Sequence, residues 1–469
     1  MLVASRRVAS FRHFAPFCGA VRSLTRGNDQ AWYEDAFPWL ASLVPPLLLS
    51  IALRSPVPSL ISLALETAFL GLCFRRVYGD GFDRFNRPTA PPPMIERDWK
   101  YFYESLWRSH PTQRERSDMF MGWFYDRPKE SLRREDAETM LAYFRFGTII
   151  DILRPLQKWQ LEFDVRKLEL EINAGEPLPR RAHNESPLPC MRFSLEPLRF
   201  RHKPLAFYAI THGFHSRFYR ALAAGSGFRW HAPADAASLG HFFRPALPNA
   251  PAGVDPLVFV HGVGGAAPYQ SLLEELAAAH PGPIVVLDLP FVSLRICKEV
   301  PSARDLVRSV EDILDRSCGR AARATFVGHS FGSLILSWMV QSRPHRIRSC
   351  VFLDPICFML HEKDILFNFH YSRVDQERQQ GKPWNNPLGP AAIMNLAGSE
   401  MHTNHAMLRH FWWSLNELWP QDLTRRGVRA KVVLSECDDI VPADKVRRLF
   451  ETYGEDGDEV SHGRRRGRG

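Results

Sequence analysis

The chain is poor in the features that mark disulfide-rich, redox and metal proteins. Its 469 residues include only eight cysteines, scattered without a C-x-x-C pair. Neither a disulfide framework nor a zinc site is implied. No nucleotide-binding or metal-binding motif occurs, so no cofactor and no metal is expected. Short arginine runs are present, but no nucleic-acid recognition fold accompanies them, and nucleic acid is not expected as a partner. There is no internal repeat. Acid is missing from the first 28 residues, which hold five arginines and several serines. Near the other end, Glu451 to Glu459 contains no apolar run, and beyond His462 the chain is only arginine and glycine.

What is present is concentrated around Gly328-His329-Ser330-Phe331-Gly332. A short apolar run, Ala324 to Val327, precedes this G-x-S-x-G pentapeptide, and the buried-helix pattern Ser333 to Val340 follows it. A serine in such a strand-to-helix turn projects its hydroxyl, and the glycines allow neighbouring backbones to approach. Upstream, Pro256 to Val260 reads as a buried strand running into the glycine-rich turn His261-Gly262-Val263-Gly264-Gly265. Tyr269 to Ala279 then reads as a helix. A turn of this kind can aim backbone N–H groups at a developing oxyanion. The candidate donors are the amides of Val263 or Gly264 and of Phe331.

The alternation of strand and helix continues. Pro283 to Leu289 is a second apolar strand. Ser302 can cap a helix from Ala303 to about Ser317, with Leu306, Val310, Ile313 and Leu314 on one face. Ile347 to Leu353 is a further strand, ending in Asp354-Pro355, and Lys431 to Leu434 is another. This order predicts an α/β fold with a mostly parallel sheet and helices on both faces. Catalytic groups then gather at the carboxyl ends of the strands.

The segment from about Pro256 to Pro355, with Ala430 to Pro442, resembles the α/β-hydrolase superfamily. The resemblance rests on the turn at His261, the pentapeptide around Ser330 and the loop Ser435-Glu436-Cys437-Asp438-Asp439-Ile440-Val441-Pro442. That loop is similar to the family's G-x-x-D-x-I-V-P acid loop, with Ser435 in place of the glycine. The resemblance implies that Ser330 is a nucleophile and Asp438 the acid, with Asp354 as a second position for the acid. The family places a histidine after the acid, and His462 is the one histidine downstream of Asp438. The expected last strand and helix around it are missing from the sequence pattern.

Two readings follow. One is a membrane-associated serine hydrolase, esterase-like or lipase-like, acting on a carboxylic ester or lipid. The other is a catalytically impaired relative that binds a lipid or a partner, because a serine without a base is a poor nucleophile. The expected division is 1–35, a basic flank or transit-like segment; 36–76, membrane-anchor segments; 94–250, a mostly helical extension; 251–355, the first part of the core; 356–429, a lid insertion; 430–462, the second part of the core; and 463–469, a basic tail. The lid carries Phe358, Phe367, Phe369 and Phe411-Trp412-Trp413, which either line a channel or pack the lid onto the core.

The anchor expectation comes from two apolar runs. Ala36 to Leu53 has no charge, and Ser55 to Phe74 has only Glu66. About 20 apolar residues are needed to cross a bilayer. Arginines flank both runs, which would put both ends on the cytosolic side. An intracellular membrane is therefore expected. The acid-free start resembles an organellar, for instance mitochondrial, transit peptide. The net charge of +9 suits an anionic membrane surface.

Overall fold

The computed structural model describes residues 2–4, 44, 46–53, 55–78, 87–89, 91, 92, 94, 96–371 and 396–454, less positions 199, 201, 236, 298 and 437. His462, the basic tail, most of the N-terminal flank and residues 372–395 of the expected lid lie outside the described residues.

Eight strands form one sheet: β1 (Leu2–Ala4), β2 (Arg229–His231), β3 (His241–Arg244), β4 (Leu257–Val260), β5 (Ile284–Leu287), β6 (Ala324–His329), β7 (Ile347–Leu353) and β8 (Ala430–Leu434). Their order is β1-β8-β7-β6-β4-β5-β3-β2. The pairs from β5 through β4, β6, β7 and β8 to β1 are parallel, while β3 pairs antiparallel with β5 and with β2. Every residue of β4 (LVFV) and β5 (IVVL) is buried. Continuous apolar runs of this kind belong to strands covered on both faces. This is the α/β-hydrolase fold expected from the sequence.

The sheet begins earlier than expected. The region 94–250, read as mostly helical, contributes β2 and β3. These strands are three and four residues long, too short for a period-2 pattern to stand out. The far edge differs too. Among the described residues no later strand extends the sheet beyond β8, and Leu2–Ala4 pairs there instead.

The helices that matter to the site are, in chain order, α1 (Val57–Tyr78), α2 (Glu96–Arg108), α3 (Gln113–Gly122), α4 (Arg134–Phe146), α5 (Pro155–Asn173), α6 (Leu205–Ser226), α7 (Gln270–Ala279), α8 (Ala303–Cys318), α9 (Gly332–Ser342), α10 (Met401–Arg409) and α11 (Ala443–Gly454). Ser302 caps α8 as expected, its side chain accepting from Asp305 N, and Leu306, Val310, Ile313 and Leu314 are buried. Thr112 and Glu115 form a capping box at the start of α3.

The N-terminal extension and segment 356–429 share one aromatic core. Trp123 lies 5.0 Å from both Trp413 and Phe144, and Phe102 packs on Trp413 and Trp419. Trp123 Nε1 donates to the His361 carbonyl at 3.0 Å. Phe358, Phe369, Phe411 and Trp413 of segment 356–429 are buried, so these aromatics pack that segment onto the body.

Both apolar N-terminal runs contain helix, residues 46–52 and α1. Ser50 Oγ is 2.8 Å from Ser59 Oγ and ties the two together. Among the described residues, no helix is long and apolar enough to cross a membrane. Glu66, the single acid of the second run, is buried. Its carboxylate accepts from Leu205 N (2.8 Å) and Ala206 N (3.2 Å) and so caps α6. One face of α1 is thereby docked on the body, with Phe69 against Tyr208. Leu60, Ile61, Leu63, Leu65, Leu70 and Leu72 remain exposed.

Candidate active site

Ser330 stands between β6 and α9 with φ of 50°. Left-handed backbone costs an L-residue about 1–2 kcal/mol, so the surroundings must hold it. They do so with several bonds. Ser330 N donates to the Leu353 carbonyl at the end of β7 (3.0 Å), and the Ser330 carbonyl accepts from Ser333 N (2.9 Å) and Ser333 Oγ (2.6 Å). The side chain is neither fully buried nor free in solvent. No described residue hydrogen-bonds its hydroxyl.

The glycines around it are sterically required. A Cβ on Gly328 would lie 2.7 Å from Leu336 Cδ1, and one on Gly262 would lie 3.0 Å from Ser330 Cβ. That second contact places the turn after β4 directly against the serine. Within the turn, the Gly264 amide is already engaged, donating to the Val292 carbonyl at 2.8 Å. Gly264 is therefore corrected from a donor to a structural member of the turn. The amides of Val263 and Phe331 make no hydrogen bond among the described residues, and Phe331 opens α9. These two remain as the candidate oxyanion donors.

The acid loop follows β8. Asp438 Oδ1 accepts from Ile440 N (2.8 Å) and Val441 N (2.6 Å), which fixes the carboxylate. Burial pushes its pKa up, and the nearby Asp354 and Asp439 charges add to that, against the two amide bonds. Asp354, the second position considered for the acid, is committed elsewhere. Its Oδ1 accepts from Ser435 N (2.5 Å) and its Oδ2 from Ser435 Oγ (2.7 Å). Of the two, Asp438 is the one with an oxygen that no described residue hydrogen-bonds.

Two histidines near the serine are accounted for. His261 is fully buried. Its Nε2 accepts from Leu289 N at 3.0 Å, and its Nδ1 lies 2.7 Å from the Gly262 carbonyl. Burial lowers its pKa to about 4, which keeps it neutral and structural. His329 has its Nδ1 2.7 Å from Tyr269 Oη. His462, the expected base, lies outside the described residues. The role of Tyr269 is not visible in the sequence, because a tyrosine opening a helix carries no motif. Ser435 is visible there only as a departure from glycine.

A second polar cluster lies away from Ser330. The ligand-type atoms of His110, His361 and Glu362 lie within 4.8 Å of one another. Lys445 Nζ donates to Glu362 Oε2 at 2.9 Å, and His110 Nε2 is 2.9 Å from Glu362 Oε1. The ammonium supplies the countercharge that a metal would otherwise bring. The cluster reads as an ion-pair node joining the extension, the lid and α11.

Solved structures with a similar fold are distant. A carboxylesterase of the ammonia-oxidising thaumarchaeon Nitrososphaera gargenis is 16% identical, with 48% of this chain and 87% of that one covered and a TM-score of 0.37. A bacterial membrane phospholipase A is 14% identical, with 52% and 82% covered and a TM-score of 0.36. A hydrolase from Pseudomonas aeruginosa is 17% identical, with 48% and 86% covered and a TM-score of 0.32. Among the curated proteins compared, none matches this chain. A family model described as the alpha/beta hydrolase family matches residues 257–463. That span runs from the first residue of β4 past the loop after β8, and over it, a little under half of the chain, the protein is similar to the alpha/beta hydrolase family.

Proposed function

We propose that the protein is a membrane-associated serine hydrolase that cleaves a carboxylic ester through an acyl-serine intermediate. The observation that carries this reading is Ser330, held at left-handed φ in the turn from β6 to α9 and set against the turn after β4. Ser330 Oγ attacks the ester carbonyl and passes its proton to the base. The amides of Val263 and Phe331 hold the tetrahedral oxyanion, a contribution of roughly 3–4 kcal/mol for each donor. The base returns the proton to the leaving alcohol, and water then releases the acid from the serine. Asp438 orients the base and balances its charge. The order Ser-Asp-His assigns that base to His462. A lipid ester is the favoured substrate class, because the exposed leucines of α1 suit a lipid surface.

Incubation of the full chain with a fluorophosphonate probe tests the reading. The native protein should be labelled and Ser330→Ala should not. Ester turnover should fall by about 10⁴–10⁶-fold in Ser330→Ala. A native chain that takes no label would instead be a hydrolase scaffold that binds its ligand without turning it over.

A further inference from the structure

A partly buried chain of polar groups runs near Ser330 between two loops that are far apart in sequence. Gly262 N donates to Tyr269 Oη at 3.1 Å, and the same oxygen is 2.7 Å from His329 Nδ1. On the other side of the ring, His329 Nε2 is 4.0 Å from Asp354 Oδ2. Ser435 completes the chain, giving its N–H to Asp354 Oδ1 and its hydroxyl to Asp354 Oδ2.

The direction of each bond follows from the partners. His329 Nε2 faces a carboxylate and so carries the ring proton. Nδ1 is then an acceptor, and the Tyr269 hydroxyl donates to it while accepting from Gly262. The four hydrogen bonds each pair a donor with an acceptor, and His329 meets Asp354 across 4.0 Å by electrostatic attraction. Asp354 sits at the centre with φ of 40°, a strained position for a residue with a side chain and one that its neighbours must maintain. A glycine at 435 could supply the amide contact to Asp354 but not the hydroxyl contact.

We propose that Asp354 is a positioning residue that couples the oxyanion turn at Gly262 to the acid loop at Ser435 through His329 and Tyr269. The coupling sets the Val263 amide and the Asp438 carboxylate in register about Ser330. Its effect on turnover rests on the reading of Ser330 as nucleophile. Its mechanical part does not.

Amide hydrogen exchange on the full chain separates the two. Tyr269→Phe and Asp354→Asn should each speed exchange in both segments, 258–265 and 434–441. In ester assays each should lower kcat by about 10²-fold, as misplaced catalytic groups do, with KM within about twofold. If Tyr269→Phe loosens only the turn and Asp354→Asn only the acid loop, the segments are independent and the proposal is overturned. The exchange result holds whether or not the native chain turns over esters, so a failure of the hydrolase reading registers separately, as absent labelling. Should Asp354→Asn fail to fold, Ser435→Ala takes its place. It removes only the hydroxyl contact, and unchanged exchange at 258–265 in that variant also overturns the coupling.

Discussion

Gly332 shows how little space the turn from β6 to α9 has. A Cβ at this position would lie 2.3 Å from the Val260 carbonyl oxygen and 2.8 Å from its carbon. Backbone cannot move aside as a flexible side chain can, so β4 and α9 would have to part. Gly332→Ala should cost about 1–3 kcal/mol, as overpacking does, read as a lower urea midpoint. The labelling rate at Ser330 should fall with it. At this scale the sequence is largely legible. The pentapeptide, the turn and the acid loop each carry a local pattern, and the structure brings Ser330, Val263 and Phe331 into one region at the strand tips. The engagement of the Gly264 amide is not legible, because its partner is the Val292 carbonyl, far along the chain, which no local pattern announces. The sequence already favours Asp438 over Asp354, but the engagement of both Asp354 oxygens by Ser435 is not legible in it.

Among elements, segment 356–429 is anchored at Trp413. Its ring meets Phe102, Trp123 and Phe144 from three different parts of the extension. Trp413→Ala should destabilise the chain by about 3–5 kcal/mol, measured by urea denaturation. The ion-pair node around Glu362 adds a pH dependence. Burial opposes ionisation of Glu362, but the His110 hydrogen bond and the Lys445 and His361 charges outweigh it and hold the carboxyl well below its ordinary value of 4.5. The folded state therefore binds this proton less readily than the unfolded state. The stabilisation is whole above pH 4.5 and is lost as pH falls through the lower folded value. Below pH 4.5 the native urea midpoint should drop more steeply than that of Glu362→Gln. Long elements such as α8 are legible from a cap and an apolar face. The short strands β2 and β3 are not, since their placement is decided by pairing with β5 and by Phe242 entering the core.

Over the whole molecule, two apolar surfaces remain uncovered among the described residues. One is α1 with residues 46–53. The other is the outer face of α5, where Leu156, Trp159, Phe163 and Leu170 are exposed. The surplus of positive charge would favour an anionic bilayer over a neutral one. The full chain should therefore sediment with phosphatidylserine-containing vesicles, and less with phosphatidylcholine alone. Replacing Leu60 and Leu63 of α1 by serine should weaken that partitioning by about 10²-fold, at roughly 1.5 kcal/mol for each side chain. Equal sedimentation of native and variant chains would remove α1 as the contact. The sequence shows that this region is apolar. It does not show that Glu66 is turned inward as a helix cap, which depends on the arrival of α6 from far along the chain.

The interlocked tryptophans also bear on how the chain can be divided. A fragment starting at residue 251 would keep Ser330 and Asp438 but strip Phe102, Trp123 and Phe144 from Trp413, and Tyr101 from Asp422. That fragment would then present a broad greasy flank to water and should be drawn into aggregates. The N-terminal part is thus a built-in escort for the rest of the chain.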